Sequence, residues 1–336
     1  IVIRVKSAIR TFINPSHIPS GHMDSTFKKN IRNAKFEEIL GQNEVKAQLK
    51  SALLMDRHII LIGQPGIGKT TLAKNAAKLL PEVTVNDCSF HCLPSEPVCP
   101  NCAESRLKKK KIATKKLSGD ELFVRVQGSP DLTAEDLLGD IDPVKALKFG
   151  PVSSQAFSPG KIFKANNGIL FFDEVNRCSE KLQNALLQVL EERRITLGTY
   201  SFDFKADFIF IGTMNPDDAS TEPLSDVFLD RFDFIYMSYP ESVETEVEIV
   251  KRKGKKSLEF PDRLLLSVIN FIRELRADKN IDKKPGVRAS LGLYERSQTN
   301  AEVHGRNKVT AQDVKDVLIS VLAHRISLKP SIKYLQ

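Results

Sequence analysis

A glycine-rich run, Gly63-Gln64-Pro65-Gly66-Ile67-Gly68-Lys69-Thr70, separates the strand-like His58-Ile59-Ile60-Leu61-Ile62 from a helix-like stretch between Thr71 and Leu80. It fits G-x-x-x-x-G-K-[ST], a loop that requires a buried strand before it and a helix after it, and so predicts an α/β fold. The glycines let backbone amides turn inward around an anion, and the helix adds the positive end of its dipole. Lys69 can reach outer phosphates, the Thr70 hydroxyl can ligate Mg²⁺, and Thr71 continues the same binding surface.

At 336 residues with 41% hydrophobic content, the chain can hold one large or two modest cores. Apolar runs such as Ile59 to Ile62 and Ile169 to Phe172 suit buried strands, whereas spanning a bilayer takes about 18 apolar residues, so no membrane insertion is expected. The formal charge of +8 permits a nucleic-acid partner. Much of the excess sits in Lys108 to Lys111 with Lys115 and Lys116, however, and such a run is most simply a solvated loop. Residues 1–22 alternate apolar and basic side chains and run into Ser20-Gly21-His22-Met23, which reads as a vector-derived or disordered leader. Arg4, Lys6 and Arg10 interrupt any apolar segment of the kind a signal peptide needs.

Ile39-Leu40-Gly41-Gln42 opens a helix-like stretch reaching Met55, and this entry, with Gly41 and Gln42, could wall an adenine pocket. Pro81 to Val85 reads as a second strand. Cys88, Cys92, Cys99 and Cys102 follow, two closely spaced pairs that could supply a tetrahedral sulfur set for a structural Zn²⁺, with Cys99-Pro100-Asn101-Cys102 as the stronger knuckle and His91 as a substitute ligand. An iron–sulfur cluster uses the same ligand type, and two disulfides are the other reading. A chain handling a nucleotide and carrying no secretion signal is expected in the cytoplasm, where thiols stay reduced and a metal is favoured over disulfides. Cys178 stands apart and reads as a packing residue.

Phe123 to Val126 reads as a strand, and Leu137 to Ile141 with the turn-rich stretch through Gly160 as an inserted hairpin. Ile169-Leu170-Phe171-Phe172-Asp173-Glu174 then delivers two carboxylates at a strand end, the place where an open α/β sheet binds ligands. Asp173 is placed to hold the Mg²⁺ shell, and Glu174 to orient or deprotonate a water. Ser179 caps a helix with Leu182, Leu186, Val189 and Leu190 on one face. It leads to a second hairpin in which Tyr200, Phe202 and Phe204 alternate. Phe208 to Met214 is another buried strand, and Asn215 at its end could hold the water or a γ-phosphate.

Together these residues resemble the AAA+ ATPases, within them the MoxR and magnesium-chelatase I-subunit group. The resemblance runs from about Phe36 to Arg325 and is carried by Phe157 to Asn166, Asp173-Glu174-Val175-Asn176-Arg177, Leu190-Glu191-Glu192-Arg193, Leu229-Asp230-Arg231-Phe232-Asp233 and Val309 to Val314. It implies a P-loop nucleotide-binding domain over residues 23–240, with a parallel sheet flanked by helices and hairpin insertions, followed by a small all-helical lid over 241–336. It also implies an ATPase ring, usually hexameric, with ATP and Mg²⁺ at each subunit boundary and the hairpins turned to the pore or a partner. Arg231 then resembles the arginine finger that reaches a neighbour's γ-phosphate, and Arg288 in Gly286-Val287-Arg288-Ala289 resembles the sensor that contacts phosphates in its own subunit. Without that resemblance, Arg231 would be an ion-pair partner of Asp230 or Asp233, and Arg288 a solvated residue at a helix start. Remodelling of a protein partner, often one with a von Willebrand A domain, is the implied function. Rival readings are a motor subunit for porphyrin metallation, a DNA translocase using Lys145, Lys148 and Lys205, and a nucleotide-switched scaffold. The cysteine cluster and its lysine-rich loop depart from the common pattern of the group, which counts against the metallation role.

Overall fold

The computed structural model describes residues 25–150, 153–197, 202–216, 218 and 224–333. The expected leader and Tyr200 lie outside them.

Five parallel strands form the central sheet: β1 (His58–Ile62), β2 (Phe123–Gln127), β3 (Ile169–Asp173), β4 (Ile209–Met214) and β5 (Phe232–Tyr236). They lie in the order β5-β1-β4-β3-β2. The central strands are continuous apolar runs because helices cover both faces, and successive side chains alternate between two cores. Ile60, Leu170, Phe172 and Phe210 pack into one, and Ile59, Leu61, Phe171 and Ile211 into the other. Register places Ile62 beside Met214 and Gln127 beside Asp173, so the C-terminal ends of β1 to β4 share one sheet edge.

The expected second strand forms as Val83–Asn86, but it pairs antiparallel with Thr114–Leu117 outside the central sheet. Val85 and Leu117 are buried while Thr84, Lys115 and Lys116 are exposed, a one-sided pattern unsuited to a strand covered on both faces. Both expected hairpins are present. Gly139–Ile141 pairs with Phe157–Pro159 around a helix at Pro143–Phe149, and Arg194–Leu197 pairs with Phe202–Lys205.

A separate core is built from the helices Val243–Lys253, Asp262–Ala277, Val287–Val303 and Ala311–Leu322. The acidic Glu241 to Glu248 stretch, at the start of the expected lid, mostly belongs to the first of these helices. Ser242 caps it by accepting from the Thr245 amide at 3.1 Å. Glu244 and Glu246 at its start and Lys251, Arg252 and Lys253 at its end complement the helix dipole. This helical unit also carries a short antiparallel pair, Ile281–Lys283 with Ser327–Leu328.

Candidate functional site

A cavity of about 870 Å³ opens at the shared strand ends, between the sheet and the helical unit. The glycine loop forms its floor. Gly66 and Gly68 adopt φ of 84° and 103°, where a Cβ is costly, and Gly68 caps the helix Lys69–Ala77 without a side chain. A Cβ on Gly63 would stand 2.6 Å from the Met237 carbonyl oxygen. Lys69 Nζ donates to the carbonyls of Gly63 and Gln64, the latter at 3.0 Å. Burial pushes this ammonium down to about 8, against the pull of Asp173.

Asp173 and Glu174 enter the same cavity from the end of β3. Thr213 joins them: its hydroxyl donates to Asp173 Oδ1 at 2.6 Å and accepts from the Glu174 amide at 2.9 Å. Asp173 Oδ2 accepts from Arg125 at 2.6 Å. Glu174 has a left-handed backbone, φ 58° and ψ 55°, an uncommon conformation that redirects the chain into a short turn. Its Oε2 accepts from Gln127 Nε2 at 2.8 Å and lies 3.2 Å from Arg177, which also grips Asp218. Asn215 lines the cavity, and its carbonyl accepts from Asn176 at 3.4 Å.

From the other side, Gln42 lines the cavity in a left-handed conformation and donates to the Ser238 carbonyl at 2.6 Å. Arg288 lies over the glycine loop so closely that a Cβ on Gly66 would stand 2.7 Å from its Cγ. Pro65, Gly66, Ile67, Gly68, Lys69, Thr70 and Thr71 share this cavity with Asp173, Glu174, Asn215 and Arg288. Gly41, Gly63 and Gln64 are not in its wall; they shape the turns behind it.

Arg231 is elsewhere. It follows the helix Asp226–Leu229 and pairs with Glu191 at 2.9 Å and Asp230 at 3.5 Å, outside the cavity wall. Asp233 pairs instead with Arg57 at 3.0 Å. Arg125, Gln127, Thr213 and Arg177 were not among the sequence candidates. Arg125 and Gln127 alternate with Val124 and Val126 along β2, a detectable period of two, but only the register shows which carboxylates they meet.

The four clustered cysteines converge on a second place. Their sulfurs all lie within 4.8 Å of one another; Cys92, Cys99 and Cys102 are buried and Cys88 is half-buried. A tetrahedral ion with Zn–S bonds of about 2.3 Å holds its sulfurs about 3.8 Å apart, so this set could bind a metal. Cys92 Sγ accepts from the Val98 and Cys99 amides, each at 3.2 Å, and Cys99 Sγ from the Cys102 amide at 3.4 Å. All five cysteines are free thiols, and Cys178 is buried in a sheet core. His91 does not join the set: its Nδ1 faces the Lys164 carbonyl at 3.0 Å. Its neighbour Phe90 packs against Phe163, Phe204 and Phe157 with ring centroids at 4.8, 5.5 and 6.1 Å, touching both hairpins.

Among the described residues, no helix is long and apolar enough to cross a membrane.

Three family models match the chain along most of its length. Residues 35–93 match magnesium chelatase, subunit ChlI; residues 99–234 match the ATPase family associated with various cellular activities (AAA); and residues 280–333 match the AAA lid domain. The chain is 28% identical over 327 residues to magnesium-chelatase subunit ChlI-2 of Arabidopsis thaliana, covering 88% of this chain and 76% of that one. It is 27% identical over 331 residues to the chaperone MoxR1 of Mycobacterium tuberculosis, covering 86% and 73%. In structure it is similar to RuvB of Thermotoga maritima (P216G mutant) with a TM-score of 0.50 at 18% identity, covering 86% of this chain and 72% of that one, a likeness of fold. The three matches follow one another in the order the motifs require, each contributing residues to the cavity wall, and with the relatives they place the chain in the AAA+ ATPases, in the group of the MoxR and magnesium-chelatase I-subunit proteins, as an ATP hydrolase.

Proposed function

We propose that this ATPase works as a Mg²⁺-dependent ring that couples hydrolysis to remodelling of a protein partner. One observation carries the reading. The glycine loop, Asp173, Glu174, Asn215 and Arg288 share a cavity, while Arg231 lies outside its wall, paired with Glu191, a position that supports a role at the site of a neighbouring copy.

In this reading the loop amides, Lys69 and Arg288 bind the phosphates, and Gln42 borders the base, with Gly41 shaping the turn behind it. Thr70 and Asp173 would hold Mg²⁺; a hard cation of this kind takes one or two protein oxygens plus phosphate oxygens, which these two groups fit. Held there, Mg²⁺ would supply neutralisation of the phosphate charge. Glu174 takes the proton of the attacking water, Asn215 orients that water, and Gln127 and Arg177 hold the Glu174 carboxylate in place. Arg231 from the next subunit stabilises charge on the transferred phosphoryl group. Such fingers contribute about 10³-fold or more.

The cysteine cluster is proposed as a structural Zn²⁺ site that staples the insertion carrying Phe90 against both hairpins. This placement supports the hairpins as the surface that meets the partner, for which a von Willebrand A domain protein fits the group. The names of the relatives leave porphyrin metallation as the second reading, and the cysteine staple favours the remodelling one.

ATPase rate measured against protein concentration, with and without DNA and beside Arg231→Ala, tests the ring. The expected result is specific activity that rises with concentration, collapses in the variant and ignores DNA. Concentration-independent activity that survives Arg231→Ala would overturn the shared site, and strong DNA stimulation would favour a translocase.

A further inference from the structure

The helical unit contains a buried charge cluster just behind the cavity. Arg276, 7% exposed, meets the fully buried Glu246 carboxylate through two guanidinium nitrogens at 2.7 and 2.6 Å. Its Nε donates to the Pro285 carbonyl at 2.7 Å, and its guanidinium lies 4.7 Å from the centre of the Tyr239 ring. Glu246 also accepts from Ser290 Oγ at 2.6 Å. Arg273 stands 3.6 Å from the same carboxylate while donating to the Pro240 and Glu241 carbonyls at 2.9 and 3.0 Å.

The partners of this pair are informative. Pro285 and Ser290 bracket Arg288 in the chain, and Tyr239 to Glu241 is the segment joining β5 to the helical unit. Gly286, next to Pro285, approaches the glycine loop so closely that a Cβ there would stand 2.7 Å from the Pro65 carbonyl oxygen. Neither Glu246 nor Arg276 lines the cavity. A buried ion pair is weak evidence for stability, because desolvation offsets its attraction, but a fully bonded one defines geometry closely. The planar fork of arginine matches a carboxylate in a way lysine cannot reproduce.

We infer that the Glu246–Arg276 pair is a positioning device for Arg288: it holds the start of the helix Val287–Val303 against the glycine loop and ties it to the segment after β5. Movement of that segment would then shift Arg288 on the bound nucleotide. The inference rests on the reading of Arg288 as a phosphate contact.

The test is MgATP affinity by calorimetry, with KM and kcat, for Arg276→Lys, Ser290→Ala, Arg288→Ala and the double variant Arg276→Lys/Arg288→Ala. Positioning predicts that Arg276→Lys weakens MgATP about tenfold and Ser290→Ala about threefold. In the Arg288→Ala background, Arg276→Lys should add less than about twofold, since the two residues act through one contact. Unchanged affinity in both Arg276→Lys and Ser290→Ala, or a tenfold loss that persists without Arg288, overturns the inference. Should Arg276→Lys fail to fold, Ser290→Ala alone and in the Arg288→Ala background decides it. Parental affinity in Arg288→Ala would instead remove the phosphate-contact reading itself, and the positioning role with it.

Discussion

The nucleotide cavity and the cysteine-stapled face are built on opposite plans. At the cavity, backbone geometry dominates: strand ends, left-handed glycines and a helix start present groups whose spacing is set by the regular structure beneath them. At the cysteine face the regular structure comes in short pieces: the helix Pro100–Leu107, with Cys99 at its cap and Cys102 in its first turn, and two-stranded pairs. Short hairpins and loops are held by four sulfurs and the ring cluster of Phe90, Phe157, Phe163 and Phe204. The contrast implies that damage at the first region removes chemistry and leaves the fold, whereas damage at the second removes structure and leaves nucleotide binding.

The sharpest way to break that contrast is Glu174→Gln, which preserves shape and removes a base. Hydrolysis should fall about 10²- to 10⁴-fold while MgATP affinity stays within a few fold, read by turnover and calorimetry. Preserved turnover would move the base elsewhere. On the other face, Phe90→Ala should cost about 3–4 kcal/mol in denaturant unfolding and leave nucleotide affinity unchanged; a change in affinity would mean that the regions are coupled. Cys99→Ser should abolish stoichiometric Zn²⁺ by elemental analysis and lower the unfolding midpoint, again without touching MgATP binding.

His58 sharpens the comparison through pH, because it lies in the sheet that both regions share. Its Nδ1 accepts from the Phe210 amide at 3.1 Å, and burial holds it down to about 4. The folded pKa is below the unfolded value near 6.5, so the unfolded chain binds the extra proton first. Stability should therefore decline as pH falls from about 6.5 to 4, and His58→Gln should flatten that slope in urea titrations. The smallest effect is expected at Ser179, whose hydroxyl caps the helix Glu180–Glu192: Ser179→Ala should cost about 1 kcal/mol and no activity.

Much of the sheet was legible because its strands are apolar runs flanked by turn signals: β1 has the expected bounds, and β2 runs one residue beyond the expected Phe123 to Val126. The helix Val243–Lys253 was less visible. Its acidic start looks like a polar linker, and its helical character rests on a Ser242 cap and opposite charges at the two ends. The ribbon Val83–Asn86 was legible as a strand, but its partner was not, since alternation fixes which residues face inward and says nothing about which strand lies alongside.

The motif residues specify phosphate chemistry by themselves, because a glycine loop, a lysine and a hydroxyl at fixed spacing produce the same cradle wherever a strand precedes and a helix follows. The cysteine spacing likewise announces a sulfur cluster. Which groups serve those residues was decided only by tertiary structure. Thr213, Arg125 and Gln127 reach Asp173 and Glu174 across strands far apart in the chain, Arg288 arrives from a separate helical unit, and His91 turns away from the sulfurs beside it. Local sequence controls conformation over a few residues, but contacts between distant segments depend on how sheet register and packed cores bring them together.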